Sequence, residues 1–265
     1  MKVGISSASL FGRFHTEDAV KKLNELKVDT TEVYFETFSE YTKKFGKKIK
    51  KMKGELNVHS IHTLTTQFEP TLYSQNDRAQ KESFDLLDGT LSAGEIIGAK
   101  YYTFHGVARV KRVPMLIDFE RVGRITNDII SACKKHGMDL AYENVHWAYY
   151  NYIGFFSELK MRCPELKGTF DVKQARQSNI GYREFIAEMK GDIVTAHLSD
   201  VREDGKMCLP GKGTIDFDEM FSRLRDVGFD GALILEVYKN DFETIEELME
   251  SYYFIKEKAQ KILGK

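Results

Sequence analysis

Polar side chains that could bind a metal ion end six short apolar runs of the sequence. The segments VHSIH, TFH, AYE, TFD, TAH and LILE end in His62, His105, Glu143, Asp171, His197 and Glu236. A single histidine or carboxylate after a strand is usually an ordinary hydrogen-bonded residue. Several of them together are different, because converging carboxylates repel one another unless a cation neutralises them. Carboxylate oxygens with one imidazole suit Mn²⁺, Mg²⁺, Co²⁺ or Zn²⁺, so we expect a divalent metal site.

The elements that must position these residues are predicted by an alternation along the chain. Apolar runs rich in β-branched or aromatic residues recur, and each is followed by a longer segment with helical spacing. We predict eight strands, over residues 3–7, 31–35, 56–62, 101–105, 139–144, 168–171, 193–197 and 233–237. No GxGxxG turn follows the first strand, so the pattern favours an α/β fold of the (β/α)8 TIM barrel type over an open sheet. No Pro/Gly/Ser-rich linker interrupts it, and we expect a single domain over residues 1–265.

The composition excludes several classes of protein. Hydrophobic residues make up 42% of the chain and charged residues 30%, which is ordinary for a soluble globular protein. The net charge of -1 provides no basic surface for a nucleic acid. The three cysteines have no close spacing, so neither a disulfide framework nor a zinc knuckle is indicated. Without a secretory signal or a long apolar run, we expect a cytoplasmic protein that binds a small molecule, and neither nucleic acid nor a membrane.

Seven motifs make the sequence resemble the superfamily of xylose isomerase-like barrels. They are VHSIH (58–62), GAKYYTFHG (98–106), LAYEN (140–144), TFDVKQA (169–175), TAHLSD (195–200), LPGKGTIDF (209–217) and LEVY (235–238). This superfamily includes ketose 3-epimerases, hydroxypyruvate isomerases, inosose dehydratases and, more distantly, the endonuclease IV type of abasic-site nuclease. The resemblance covers nearly the whole chain. It is specific for the superfamily but not for the substrate.

The resemblance implies a metal site and its chemistry. One divalent metal ion is expected to be held by Glu143, Asp171, His197 and Glu236. Glu143 and Glu236 are also expected to transfer protons. In addition, His62, His105 and Glu143 match a second metal site of the nuclease branch, which leaves room for a second ion.

Two departures separate the chain from the nuclease branch. That branch has a zinc-binding histidine three residues beyond the sixth-strand aspartate, and this chain has Gln174 there. The nuclease branch also has an Asp-x-His pair, which the segment GKMCLPGKG (205–213) of this chain lacks. A third zinc site therefore cannot be assembled. Gln174 further replaces a histidine that is common in the epimerases. We expect Gln174 to donate a hydrogen bond to a sugar hydroxyl instead.

The predicted reaction is proton transfer at a carbon next to a carbonyl. A sugar or sugar phosphate would form a metal-stabilised enediolate, and one glutamate would remove the proton while the other returns it. Return to the same carbon gives epimerisation, and return to the adjacent carbon gives isomerisation. Dehydration, as in the inosose dehydratases, is an alternative. A nuclease acting on abasic DNA and a non-catalytic sugar-binding barrel are further alternatives, although the nuclease would need the absent ligands and a basic groove.

Two histidines are predicted to orient the substrate, namely His62 and His105. Within VHSIH, His62 is in phase with Ser60 at the strand end, whereas His59 is out of phase, so we expect His62 in the active site.

Loops after two strands supply further predicted contacts. Trp147, in the aromatic-rich segment 144–152, either belongs to the core or covers the apolar face of a sugar. The same segment could equally serve a contact in a homo-oligomer. Arg202 and Lys206 either contact distal hydroxyls or a phosphate of the substrate, or are solvated loop charges.

Overall fold

Eight parallel strands close into a barrel in the computed structural model, which describes residues 2–64, 67–109 and 116–264. The barrel strands are β1 (Lys2–Ser6), β2 (Thr30–Phe35), β3 (Asn57–Thr63), β4 (Tyr101–Phe104), β5 (Asp139–Glu143), β6 (Lys167–Asp171), β7 (Ile193–Leu198) and β10 (Ala232–Leu235). A short antiparallel hairpin, β8 (Asp200–Val201) and β9 (Met207–Cys208), follows β7. Strand β1 pairs with both β2 and β10, which closes the barrel. The predicted (β/α)8 barrel is confirmed.

The predicted strand ends differ from the observed ones by one or two residues. A bulge in β3 has a consequence for the site, because Thr31 pairs with Val58 while Glu32 pairs with Ser60. The extra residue is His59, whose Nε2 lies 3.0 Å from Thr195 Oγ1 on β7. His59 is therefore held by the wall of the barrel, and His62 is the histidine of β3 that reaches the C-terminal mouth.

Helices connect the strands and cover the outside of the barrel. They are α1 (Thr16–Glu25), α2 (Lys43–Met52), α3 (Asp77–Ile97), α4 (Phe119–Lys135), α5 (Phe155–Arg162), α6 (Val172–Gln177), α7 (Tyr182–Glu188), α8 (Phe217–Asp226) and α9 (Ile245–Leu263). Their apolar stripes face the strands; in α4, for example, Val122, Ile129 and Cys133 are buried at helical spacing. Side chains cap several helix starts, as where Asp216 accepts a hydrogen bond from the backbone of Glu219.

Among the described residues, no helix has both the length and the apolar character that crossing a membrane would require. The three cysteines, Cys133, Cys163 and Cys208, are buried free thiols, in agreement with their spacing.

Candidate metal centre and active site

Four of the predicted ligands meet at the C-terminal mouth of the barrel. Glu143 and Asp171 are the last residues of β5 and β6. His197 lies one residue before the end of β7, and Glu236 follows β10 directly. One ligand atom from each of the four lies within 4.8 Å of the other three. We call these four residues the ligand set.

His197 lies at the centre of the ligand set. Its Nδ1 is 3.1 Å from Glu143 Oε1, 2.6 Å from Glu236 Oε2 and 3.7 Å from Asp171 Oδ2. One ring nitrogen carries at most one proton, so it cannot satisfy three carboxylates by hydrogen bonding. Glu143 Oε2 is buried and accepts no hydrogen bond from the described residues, although His105 Nε2 lies 3.3 Å from it. Three carboxylates and one imidazole in this arrangement fit a divalent cation.

The charges of the ligand set shift the pKa values of its members. Burial raises the pKa of Glu143, and the neighbouring His197 offsets only part of this rise. Burial favours a lower pKa for His197, but the carboxylates of Glu236, Glu32, Asp171 and Glu143 together outweigh it and hold the pKa well above its usual value. Burial also favours a higher pKa for Glu236, but His197 and Lys173 lower that pKa to about 2. Without a cation, the centre thus tends to hold protons on His197 and Glu143.

Two histidines face each other beside the ligand set, with His62 Nε2 2.8 Å from His105 Nε2. His62 Nδ1 lies 3.1 Å from Glu32 Oε1, and His105 Nδ1 lies 3.2 Å from Glu69 Oε2. An ionised carboxylate only accepts hydrogen bonds, so each Nδ1 carries a hydrogen and the facing Nε2 atoms need a shared proton or cation. Burial lowers the pKa of His62, but Glu32 outweighs it and raises the pKa to about 9. At neutral pH His62 is therefore protonated on both nitrogens, and its Nε2 proton faces His105 Nε2.

We call His62, His105, Glu32 and Glu69 together the histidine side. The carboxylates of Glu32 and Glu69 each accept several hydrogen bonds. Glu32 Oε2 accepts from the hydroxyls of Ser60 and Thr103, both at 2.7 Å. Glu69 accepts from Tyr102 at 2.6 Å and from the backbone N–H of His105 at 3.1 Å. These bonds hold the two buried carboxylates in fixed orientations.

Neither Glu32 nor Glu69 is predicted from the sequence. Glu32 stands inside the otherwise uncharged strand TTEVYF, and this acidic residue within a strand is a signal that could have identified it. Glu69 begins a short 3-10 turn, Glu69–Tyr73, where no local pattern marks it. The predicted second metal position, His62 with His105 and Glu143, also has its ligand atoms within 4.8 Å of one another.

A cavity of about 230 Å³ opens onto the ligand set. Six predicted site residues line it: His62, His105, Glu143, Trp147, Gln174 and Glu236. Much of the remaining wall is apolar or aromatic, formed by Ala8, Phe11, Tyr34, Leu64, Val237 and Tyr238. Polar groups at one end and aromatic walls elsewhere suit a small molecule with hydroxyls and C–H faces.

The aromatic-rich segment 144–152 is divided between cavity and core. Trp147 is half-buried, lines the cavity and lies with its ring centre 5.3 Å from that of His105. Tyr150 is fully buried and stacks on Phe155. The substrate-stacking alternative therefore fits Trp147, whereas the core alternative fits Tyr150.

The remaining predicted contacts differ in position. Gln174 lines the cavity, and its Oε1 accepts hydrogen bonds from His146 Nδ1 at 2.6 Å and from the His146 backbone N–H at 3.3 Å. Arg202 and Lys206 lie exposed on the β8–β9 hairpin and are not among the residues that line the cavity. Lys206 Nζ is 3.2 Å from Asp204. This arrangement favours solvated charges, and a substrate contact by either residue stays a prediction.

Lys173 is a cavity residue that is not predicted from the sequence. It lies in the first turn of α6 and is 4% exposed, with its ammonium 4.3 Å from the centre of the Tyr238 ring. Burial lowers its pKa, but Asp171 and Glu236 outweigh burial and keep the pKa above its usual value. Lys173 is therefore a buried positive charge at the cavity. The direction of the Lys173 side chain depends on the angle at which α6 follows β6, and no local sequence pattern predicts this angle.

Comparison with known proteins gives a consistent picture. A family model described as a xylose isomerase-like TIM barrel matches residues 20–258. A D-tagatose 3-epimerase-like protein is similar in structure at 19% identity, with 99% of this chain and 98% of that chain covered and a TM-score of 0.80. D-psicose 3-epimerase from Clostridium cellulolyticum H10, solved with D-tagatose, is 14% identical, with 99% of each chain covered and a TM-score of 0.78.

A third similar structure is the IOLI protein with a bound zinc atom, at 14% identity, 99% and 98% coverage, and a TM-score of 0.75. At these identities the likeness shows a shared fold. No curated protein matches the chain.

Proposed function

The chain belongs to the family of xylose isomerase-like TIM barrels, and from this premise we propose that it is a metal-dependent isomerase or epimerase of a sugar or sugar phosphate. The observation that carries the proposal is the pair Glu143 and Glu236, which belong to the ligand set and also line the cavity. The ketose epimerases among the structures of the same fold support the substrate class.

The ligand set would hold one divalent cation. When bound, such a cation polarises the substrate carbonyl and stabilises the negative charge that develops on its oxygen. His197 faces the other three ligands through Nδ1, while its Nε2 lies 3.1 Å from Glu32 Oε1. Attraction between this carboxylate and the imidazole orients the ring, as is usual for a metal-binding histidine.

Glu143 and Glu236 are positioned to act on the substrate from different directions. Glu143 ends β5 and Glu236 follows β10, and β6 and β7 lie between these strands in the barrel wall. One carboxylate removes a proton from the carbon next to the carbonyl, and the other supplies a proton. Supply to the same carbon from the opposite side inverts it, whereas supply to the neighbouring carbon moves the carbonyl. His62, His105 and Trp147 orient the substrate at the cavity wall.

The test is turnover of a panel of ketoses and ketose phosphates with Mn²⁺ in D₂O, followed by NMR. We expect deuterium to enter the product at the carbon next to the carbonyl. Glu143→Gln and Glu236→Gln should each lower turnover by about 100- to 10,000-fold, the range for general acid–base catalysis. Because both residues are also ligands, the metal content of each variant is measured and the assay is run at saturating Mn²⁺.

A matched control is Glu250→Gln on the exposed face of α9, which should keep the turnover of the unaltered chain. Activity that survives both cavity substitutions would contradict the acid–base pair. Product without deuterium would contradict proton transfer. A dehydrated product would instead support the lyase alternative, and incision of abasic duplex DNA would support the nuclease.

A further inference from the structure

Lys173 presents a buried ammonium group to the cavity. It shares the cavity wall with Glu236 and Tyr238, and only 4% of the residue is exposed. A buried ammonium is costly unless it is paired or hydrogen-bonded, because burial removes its hydration. A lysine in this position is therefore expected to have a partner that compensates for the lost hydration.

No described residue accepts a hydrogen bond from Lys173. No carboxylate oxygen of the described residues forms an ion pair with it within 4.0 Å, and its ammonium lies 4.3 Å from the centre of the Tyr238 ring. An aromatic face attracts a cation but does not accept three N–H bonds. The donors of Lys173 are thus available to a molecule in the cavity.

Gln174, the next residue of α6, presents a second donor. A backbone N–H can only donate, so the bond from His146 N to Gln174 Oε1 fixes which end of the amide is oxygen. The amide nitrogen of Gln174 then remains without an acceptor among the described residues. Donors from two consecutive residues that both line the cavity suit two oxygens of a hydroxylated molecule.

Charge balance indicates that these oxygens are uncharged. The three carboxylates of the ligand set exceed a divalent cation by one negative charge, and Glu32 and Glu69 lie behind His197 and His105. Lys173 therefore compensates for only part of the negative charge around the cavity. Among the described residues that line the cavity, Lys173 is the only lysine or arginine. A phosphate in contact with it would be left without a balancing cation in a buried site, which is unfavourable.

We propose that Lys173, together with Gln174, binds neighbouring hydroxyl or carbonyl oxygens of an uncharged sugar in the cavity, which makes Lys173 a specificity-determining residue. This inference rests on the proposed function, because it presupposes a sugar and a cation at the ligand set.

The experiment compares the unaltered chain with Lys173→Met, which keeps the length of the side chain and removes its charge and donors. Binding of D-fructose and D-fructose 6-phosphate is measured by calorimetry at saturating Mg²⁺. Fluorescence of Trp147, the only tryptophan, gives a second signal from the cavity. The affinity for Mg²⁺ itself is measured separately. Lys173→Gln keeps a hydrogen-bond donor and replaces Lys173→Met in the experiment if that variant fails to fold. The control is Lys190→Met, which changes an exposed lysine.

We expect Lys173→Met to weaken D-fructose binding about tenfold or more, since a hydrogen bond to a charged group contributes at least this much. The D-fructose affinity of Lys173→Gln should lie between those of the unaltered chain and of Lys173→Met. Mg²⁺ affinity should stay equal or increase, because a positive charge near the carboxylates is removed. A lysine that only balanced charge would change the Mg²⁺ affinity and leave the sugar affinity unaltered.

Three results would overturn the inference. Equal D-fructose affinity in the unaltered chain and in the Lys173 variants would remove Lys173 from the sugar site while leaving the proposed function intact. Tighter binding of D-fructose 6-phosphate than of D-fructose would contradict the uncharged substrate. Binding of neither sugar by the Mg²⁺-loaded chain would contradict the proposed function itself, and the assignment of Lys173 with it.

Discussion

The two sides of the barrel mouth use buried carboxylates in different ways. On the histidine side, Glu69 accepts four hydrogen bonds, from Thr63, from Tyr102 and from both the backbone and the ring of His105. In the ligand set, Glu143 accepts one, from His197, and its Oε2 accepts none from the described residues. A carboxylate whose oxygens are all supplied with donors is fixed in place. A carboxylate such as Glu143, whose Oε2 accepts no hydrogen bond within the described part of the chain but lies 3.3 Å from His105 Nε2 and beside other carboxylates, is suited to a cation or to a moving proton.

This difference predicts that substitutions on the two sides have different consequences. A change in the ligand set should weaken cation binding with little effect on folding. A change at Glu69 on the histidine side should destabilise the fold with little effect on the cation, whereas Glu32 also faces the metal ligand His197. The sharpest comparison removes one carboxylate charge from each side while keeping the shape of the side chain.

The largest effect is expected for Asp171→Asn. Loss of a partner that only supports a metal ligand typically lowers affinity 10- to 100-fold, so we expect loss of this charged ligand to lower Mn²⁺ affinity by at least about 1,000-fold. Calorimetric titration of the metal-free protein gives the measurement. Urea unfolding of the metal-free variant should be close to that of the unaltered chain, because asparagine keeps the shape of the side chain and its oxygen can still accept the hydrogen bond from the backbone N–H of Gln174. Unchanged Mn²⁺ affinity would exclude Asp171 as a ligand.

The next effect is expected for Glu69→Gln. The amide leaves the donors of Thr63, Tyr102 and His105 incompletely satisfied in a fully buried place. Breaking such a buried network costs about 3 kcal/mol of the free energy of unfolding, which urea unfolding measures. Glu25→Gln is the control, since Glu25 is 52% exposed and its partner Lys21 is 3.8 Å away, so a change below about 1 kcal/mol is expected. A Glu69 variant as stable as the control would remove the structural role assigned to this carboxylate.

A smaller effect is the pH dependence of cation binding. The raised pKa values of His197 and Glu143 mean that both groups tend to hold protons in the metal-free centre. A cation must displace these protons, so Mn²⁺ affinity should rise with pH and fall with acid, by about tenfold per pH unit for each proton displaced. Calorimetry in two buffers that differ in ionisation enthalpy counts the protons released. An affinity that is constant across the neutral range would show that the ligand set is already deprotonated.

The fold and the six strand-end candidates follow from local patterns, whereas the choice of four ligands among them follows from the resemblance. Parallel barrel strands are buried on both faces, so each appears as a short apolar run, and a charged residue at its end lies at the mouth. This reasoning is sufficient for Glu143, Asp171 and His197, which end or nearly end their strands. It does not identify Glu32, which stands inside its strand rather than at its end, although the charge is visible in the sequence.

Other parts of the site depend on how loops turn. Arg202 and Lys206 follow β7 and would be expected to reach the site, but the β8–β9 hairpin carries them away from the cavity wall. Asp200 holds the base of this hairpin by accepting the backbone N–H groups of Gly211 and Gly213. Lys173 depends in the same way on the first turn of α6. Such directions result from tertiary hydrogen bonds, which spacing along the chain does not report.

The most direct test of the central claim is a crystal structure of the chain soaked with Mn²⁺, with anomalous scattering used to locate the ion. We predict a peak in contact with Glu143, Asp171, His197 and Glu236, and none between His62 and His105 at neutral pH, where the additional proton lies. Absence of a peak at the ligand set at saturating Mn²⁺, or a peak at the histidine side alone, would contradict the division of the barrel mouth described above.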